Sequence, residues 1–234
     1  MNPVMQVRDL GKTFSLHHQN GVVLDVLRAI DFDLAPGECL LLHGQSGAGK
    51  STLLRTLYGN YLPMQGSISV LHMGGMVEMV GAEPRQTLAI RRGTLGYVSQ
   101  FLRVIPRVSC LNVVMEPALA RGMPRDSACD KAAALLASLH IPERLWSLSP
   151  TTFSGGEQQR INIARSFMVH WPIMLLDEPT ASLDALNRQV VLELIEKAKA
   201  EGSALIAISH DETTRAAIAD RSLNIAAEDL CHAN

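Results

Sequence analysis

The run Gly44-Gln45-Ser46-Gly47-Ala48-Gly49-Lys50-Ser51-Thr52 sets three glycines, a lysine and adjacent hydroxyls in the order G-x-x-x-x-G-K-S/T. Glycines at these spacings let successive backbone N–H groups turn into one concavity, a surface suited to anions. The run follows Cys39-Leu40-Leu41-Leu42, apolar like a buried strand, and opens Leu53-Leu54-Arg55-Thr56-Leu57-Tyr58, which reads as a helix. Strand, loop and helix in that order bring the positive end of a helix dipole to the same point. The chemistry this predicts is a grip on the phosphates of a nucleotide, with Lys50 reaching the β- and γ-phosphates and the Ser51 hydroxyl ligating Mg²⁺.

A second element is Ile173-Met174-Leu175-Leu176-Asp177-Glu178, a buried-strand pattern ending in two carboxylates. Alone, an Asp-Glu pair at a strand end also caps a turn. Beside a phosphate loop, Asp177 is placed to anchor Mg²⁺ through water, and Glu178 to polarise an attacking water as general base.

Positioning these groups needs strands that end at one edge. Short strands are expected at 4–7, 22–24, 29–34, 66–70, 95–98, 173–177 and 204–209. Helices are expected at about 156–170, 185–201 and 213–220, and the pattern turns helical over 111–148, where Ala132, Leu135, Leu136 and Leu139 share one face. The stretch 72–94 gives no register. Nearly all-apolar strands alternating with helices predict an α/β protein with a mainly parallel sheet covered on both faces.

Composition narrows the function classes. The formal net charge is −2 over 234 residues, which carries no basic footprint for nucleic acid. The four cysteines (Cys39, Cys110, Cys129 and Cys231) are scattered without a C-x-x-C pair, as expected of reduced thiols in a cytoplasmic protein. Apolar runs are short of the ~20 residues of a membrane span, and the first residues lack a signal-peptide pattern, so no direct membrane insertion is expected.

Further motifs carry a family resemblance. Phe153-Ser154-Gly155-Gly156-Glu157-Gln158-Gln159-Arg160 resembles the signature sequence of ATP-binding-cassette (ABC) ATPases, with Phe153 where leucine is usual. Gln100, in Val98-Ser99-Gln100-Phe101, matches the Q-loop; Ala181-Ser182-Leu183-Asp184 matches the D-loop and Ser209-His210-Asp211 the H-loop. The resemblance implies one P-loop NTPase (RecA-like) ABC domain over 1–234. Residues 1–99 would supply an N-terminal antiparallel β subdomain and the first part of the core. Residues 100–153 would supply the Q-loop and an inserted α-helical subdomain, and 154–234 the remaining motifs.

It also implies ATP and Mg²⁺ as cofactors and ATP hydrolysis as the reaction. His210 would contact the γ-phosphate, and Gln100 the Mg²⁺ ion or the attacking water. Phe14 stands where the family stacks an aromatic on adenine, although a lone Phe also suits a core. Asp184 would support a subunit interface. Ser154, Gly155, Gly156 and Glu157 open a helix and so form a second anion-binding surface. In the family that surface faces a nucleotide held by another subunit, which implies a head-to-tail dimer with a second copy or a related ABC subunit.

Beyond the shared motifs, His43, the run Phe101-Leu102-Arg103-Val104-Ile105-Pro106-Arg107, and Pro142-Glu143-Arg144-Leu145-Trp146 look like the ABC subunits of bacterial carbon–phosphorus (C–P) lyase systems. That likeness implies a role in phosphonate degradation beside a soluble C–P lyase core complex, with Arg103 and Arg107 either on a solvated surface or docking a protein partner. The alternative is the ATPase subunit of an ABC membrane transporter.

Overall fold

Alternating apolar residues build the first two strands, β1 (Met5–Leu16) and β2 (Val22–Leu34), which pair antiparallel with Met5 opposite Leu34. The computed structural model describes residues 2–16, 22–99, 102 and 106–226. Both strands run longer than the sequence pattern suggests, and the two segments expected at 22–24 and 29–34 are one strand. Register shifts along β1, with Asp9 at φ 45° and Ala29 at φ 43°, break the alternation without ending the pairing.

Next come β3 (Cys39–His43) and α1 (Lys50–Leu57), then β4 (Gln65–His72) and β5 (Gly75–Glu78). The antiparallel sheet has the order β2-β1-β4-β5. The unassigned stretch 72–94 holds β5 and the helix α2 (Pro84–Gly93), which begins with its proline in the first turn.

The second sheet joins β3 to β6 (Leu95–Val98), β7 (Ile173–Asp177), β8 (Ala204–Ile208) and β9 (Arg221–Asn224) in the order β6-β7-β8-β3-β9. Every pairing in it is parallel. Every residue of β7 and β8 is buried, as expected of strands covered on both faces. Alternate side chains serve opposite cores. Leu40 and Leu42 join Leu53, Leu54, Leu57 and the apolar face of the antiparallel sheet. Leu41, Met174 and Leu176 pack with the helices of the other layer.

Those helices are α3 (Cys110–Ala120), α4 (Arg125–Ser138), α5 (Gly155–Ser166) and α6 (Ala185–Ala200); α7 (Glu212–Ile218) follows β8. Ala132, Leu136 and Leu139 are fully buried, as their spacing along α4 requires. Because the core strands are parallel, the segments leaving β3, β6, β7 and β8 all emerge at one edge of the sheet. That is where the residues singled out by the motifs must meet.

Candidate functional site

The loop after β3 turns through three glycines with positive φ: Gly44 at 146°, Gly47 at 81° and Gly49 at 95°. A Cβ on Gly44 would sit 2.3 Å from the Ile225 carbonyl oxygen, and one on Gly49 2.8 Å from that of Val26. At Gly47 nothing lies within 4 Å, so this residue faces open space. Gln45, Ser46 and Gly47 are exposed while Ala48, Gly49 and Lys50 are buried, so the loop presents its crown and roots its base. Gly49 precedes α1 without any side-chain cap, leaving the first amides of the helix unclaimed by side chains. The Lys50 ammonium is 7% exposed and donates to the carbonyls of Gly44 at 2.9 Å and Gln45 at 2.7 Å. Thr52 lies in the first turn of the helix, its carbonyl accepting from the Thr56 hydroxyl.

The Ser51 hydroxyl donates to Asp177 Oδ1 at 3.1 Å, bringing α1 and the end of β7 together across 126 residues of sequence. Asp177 is buried, and its other oxygen accepts from the Tyr97 hydroxyl at 3.2 Å. A hydroxyl and a carboxylate converging at a helix N-terminus are hard oxygen donors of the kind Mg²⁺ takes. Among the described residues no cluster of three or more His, Cys, Asp or Glu could hold a metal alone. The donor set therefore fits an ion that also takes phosphate oxygens.

Glu178, one residue beyond the strand, adopts φ 53°, an uncommon conformation for a residue with a side chain. Its N–H donates to the Ile208 carbonyl, and its own carbonyl accepts from Gln159 Nε2. The Glu178 carboxylate lies 3.3 Å from His210 Nε2, so the ends of β7 and β8 bring the two residues together.

The tip of α5 is built differently. Ser154 is its N-cap in a complete capping box: the Ser154 hydroxyl accepts from the Glu157 N–H, and the Glu157 carboxylate accepts from the Ser154 N–H at 2.9 Å. The Ser154 hydroxyl and backbone hold the Glu157 carboxyl below its ordinary pKa. Ser154 and Gly155 are exposed, and a Cβ on Gly156 would meet the Ser182 carbonyl at 3.4 Å. Asp184 caps α6, accepting from the Asn187 N–H at 2.8 Å and from its side-chain amide, and these bonds lower its pKa.

The sequence profile described as ABC transporter matches residues 27–181. The chain belongs to the ABC transporter ATPase family. It is 36% identical over 217 residues to the lipoprotein-releasing system ATP-binding protein LolD of Novosphingobium aromaticivorans, covering 90% of this chain and 91% of that one. It is 38% identical to the LolD of Zymomonas mobilis, over 90% of this chain and 88% of its relative. The macrolide export ATP-binding/permease protein MacB of Brucella abortus is 37% identical over 95% of this chain, which spans 33% of that longer protein. The fold superposes on the dimeric ABC cassette MJ0796 with a TM-score of 0.84 at 24% identity, covering 95% of this chain and 94% of that one. It also matches the post-hydrolysis form of MJ0796 bound to ADP and Pi, with the same TM-score. By its family the chain is an ABC ATPase subunit.

In this ABC ATPase, Ser51 meets Asp177 and Glu178 meets His210 where β7 and β8 end, and Lys50 stands beside Ser51 at the start of α1. Gln100 lies outside the described residues, as does Arg103. Phe14 is half-buried and belongs to neither buried core. Its ring meets Tyr61 edge-on at 5.3 Å, and the Lys12 ammonium stands 4.8 Å from its centroid. Two residues that carry no role in the motif reading stand out. Gln159 reaches from α5 to the carbonyls of Glu178 and Pro179, and Tyr97 reaches Asp177. Gln159 is visible only as one letter of the signature, and Tyr97 only as one aromatic in a strand. No helix among the described residues is long and apolar enough to cross a membrane.

Proposed function

We propose that this chain binds ATP on the Gly44–Thr52 loop and hydrolyses it as one half of a head-to-tail pair of cassettes. The single observation that carries the reading is the convergence of Ser51, Asp177, Glu178 and His210 at the rim of a loop whose helix tip has no cap of its own. Gly44, Gln45, Ser46, Gly47, Ala48, Gly49 and Thr52 offer backbone amides and hydroxyls to the phosphates, and Lys50 exchanges its carbonyl partners for phosphate oxygens. Ser51 and Asp177, with Gln100, would hold Mg²⁺, which supplies charge neutralisation on the phosphate oxygens.

Glu178 takes the proton of the attacking water, its backbone held on both sides by Ile208 and Gln159. His210, in contact with that carboxylate, orients it and faces the γ-phosphate. Phe14 stacks on the adenine. The exposed Ser154–Glu157 tip, with Asp184 beside it, closes over the nucleotide of the neighbouring subunit; the dimeric cassettes of the same fold support such pairing.

The LolD and MacB relatives favour a membrane permease as the machine that the pair drives. A second reading rests on Ser99–Arg107 and Phe153–Arg165, which look like the C–P lyase ABC subunit PhnL. Here the pair, completed by a second copy or a PhnK-like subunit, gates a soluble phosphonate-degrading core complex. Affinity purification from phosphate-starved cells separates the two. Recovery with an integral membrane permease, dependent on detergent, supports the transporter. Recovery without detergent, alongside soluble phosphonate enzymes, supports the second reading and overturns the first.

A further inference from the structure

Tyr97 sits on β6 opposite Leu175 of β7, two residues before the carboxylate it touches. Its ring is stacked on Tyr58 with centroids 5.1 Å apart and planes 25° from parallel. Tyr58 is in turn covered by the Arg91 guanidinium, 4.6 Å from its centroid, and Arg91 Nε donates to the Tyr58 carbonyl at 2.8 Å. The two oxygens of Asp177 are claimed separately, Oδ1 by Ser51 on α1 and Oδ2 by Tyr97 on β6.

We infer that Tyr97 is a positioning residue for the metal, its hydroxyl fixing Asp177 Oδ2 so that Oδ1 stays turned toward Ser51 and the ion they share. The inference rests on the nucleotide–Mg²⁺ reading of this site. Without the hydroxyl, one oxygen of a buried carboxylate loses its donor, and the carboxylate is free to turn about its own axis. Partners of this kind, one step behind the groups around a metal, typically shift metal affinity by roughly 10- to 100-fold when removed. The Tyr58 ring, held by Arg91, keeps the Tyr97 ring from following such a rotation.

The test is Tyr97→Phe, which keeps the ring and its stack and removes only the hydroxyl. Binding of a fluorescent ATP analogue is titrated with MgCl₂ and, separately, measured in EDTA. The expected result is a Mg²⁺ midpoint raised about tenfold with the affinity in EDTA unchanged, while Tyr58→Phe, which keeps both rings, leaves the midpoint where it was. A Tyr97→Phe midpoint equal to the parent's overturns the inference. An equal loss with and without Mg²⁺ also overturns it, since that is the mark of a structural role. If the parent protein binds the analogue without any Mg²⁺ dependence, the metal reading of the site fails and the inference goes with it; a Mg²⁺-dependent parent with an unaffected Tyr97→Phe variant sinks the inference alone.

Discussion

Two helix tips in this molecule are suited to anions, and they are finished in opposite ways. The tip of α1 has a glycine before it, no side-chain cap, and a buried lysine temporarily satisfied by carbonyls of its own loop. The tip of α5 caps itself through Ser154 and Glu157 and stands exposed. Around the first, the chain's own groups gather from the ends of β3, β7 and β8 and from the start of α1. The second has its polar groups paired with each other. On the proposed pairing, the difference teaches where a composite site would be divided: the grip is intramolecular, and the clamp waits for a neighbour.

The sharpest way to break this division is at the end of β7. Glu178→Gln keeps the size and the backbone contacts but removes the base, so hydrolysis is expected to fall about 10²- to 10⁴-fold while ATP binding persists. A stable nucleotide-bound pair should then accumulate on gel filtration. Turnover at the parent rate would remove Glu178 from the role of base.

The next effect tests the loop itself. Gly44→Ala places a methyl 2.3 Å from the Ile225 carbonyl at φ 146°. Clash and backbone strain together are expected to cost about 2–5 kcal/mol. Gly47→Ala, at φ 81° with nothing within 4 Å, should cost about 1–2 kcal/mol. Urea melts of the two variants compare them directly. Equal losses would mean that the close approach to Ile225 does not root the loop.

How much of this was legible in the letters follows the same division. β3, β7 and β8 are short, nearly all apolar and buried, so their sequence alone marks them, and the motifs carrying Lys50, Ser51, Asp177, Glu178 and His210 follow at their ends. β9 leaves no signal in the sequence because Arg221-Ser222-Leu223-Asn224 is a largely exposed edge strand with no apolar run. β1 and β2 run longer than their letters suggest because bulges shift the alternation that a period-two pattern depends on. Gln159 and Tyr97 were invisible as site residues for another reason. Their partners are supplied by packing between elements 19 and 80 residues apart, and no local spacing encodes that.

A smaller effect is expected at Lys50. Replacing it with Ala removes the charge-assisted bonds to phosphate, worth about 1.5–3 kcal/mol, or roughly 10- to 100-fold in affinity. Equilibrium binding of ATP by the single chain measures it. The same measurement on Ser154→Ala should show no change, because on the proposed pairing the α5 tip serves the partner's nucleotide. A parallel loss in both variants would erase the distinction between grip and clamp.

The smallest effect sharpens the comparison through pH. Ser154→Ala deletes the N-cap of α5 and is expected to cost about 1 kcal/mol near neutrality. Part of that comes from the hydroxyl's bond to the Glu157 carboxylate, which holds the carboxyl below its ordinary value of 4.5. A carboxyl with a lowered folded-state pKa contributes stability that is present above its unfolded value and fades as pH falls through the folded one. The stability gap between parent and variant should therefore narrow as the pH is taken below the ordinary carboxylate range, without closing, because the Glu157 N–H still donates to the serine oxygen at any pH. Denaturant melts at neutral and acid pH read the two gaps. A gap that is constant with pH would mean that the Ser154–Glu157 carboxylate bond adds nothing to the cap, and that the tip is held by its backbone bonds alone.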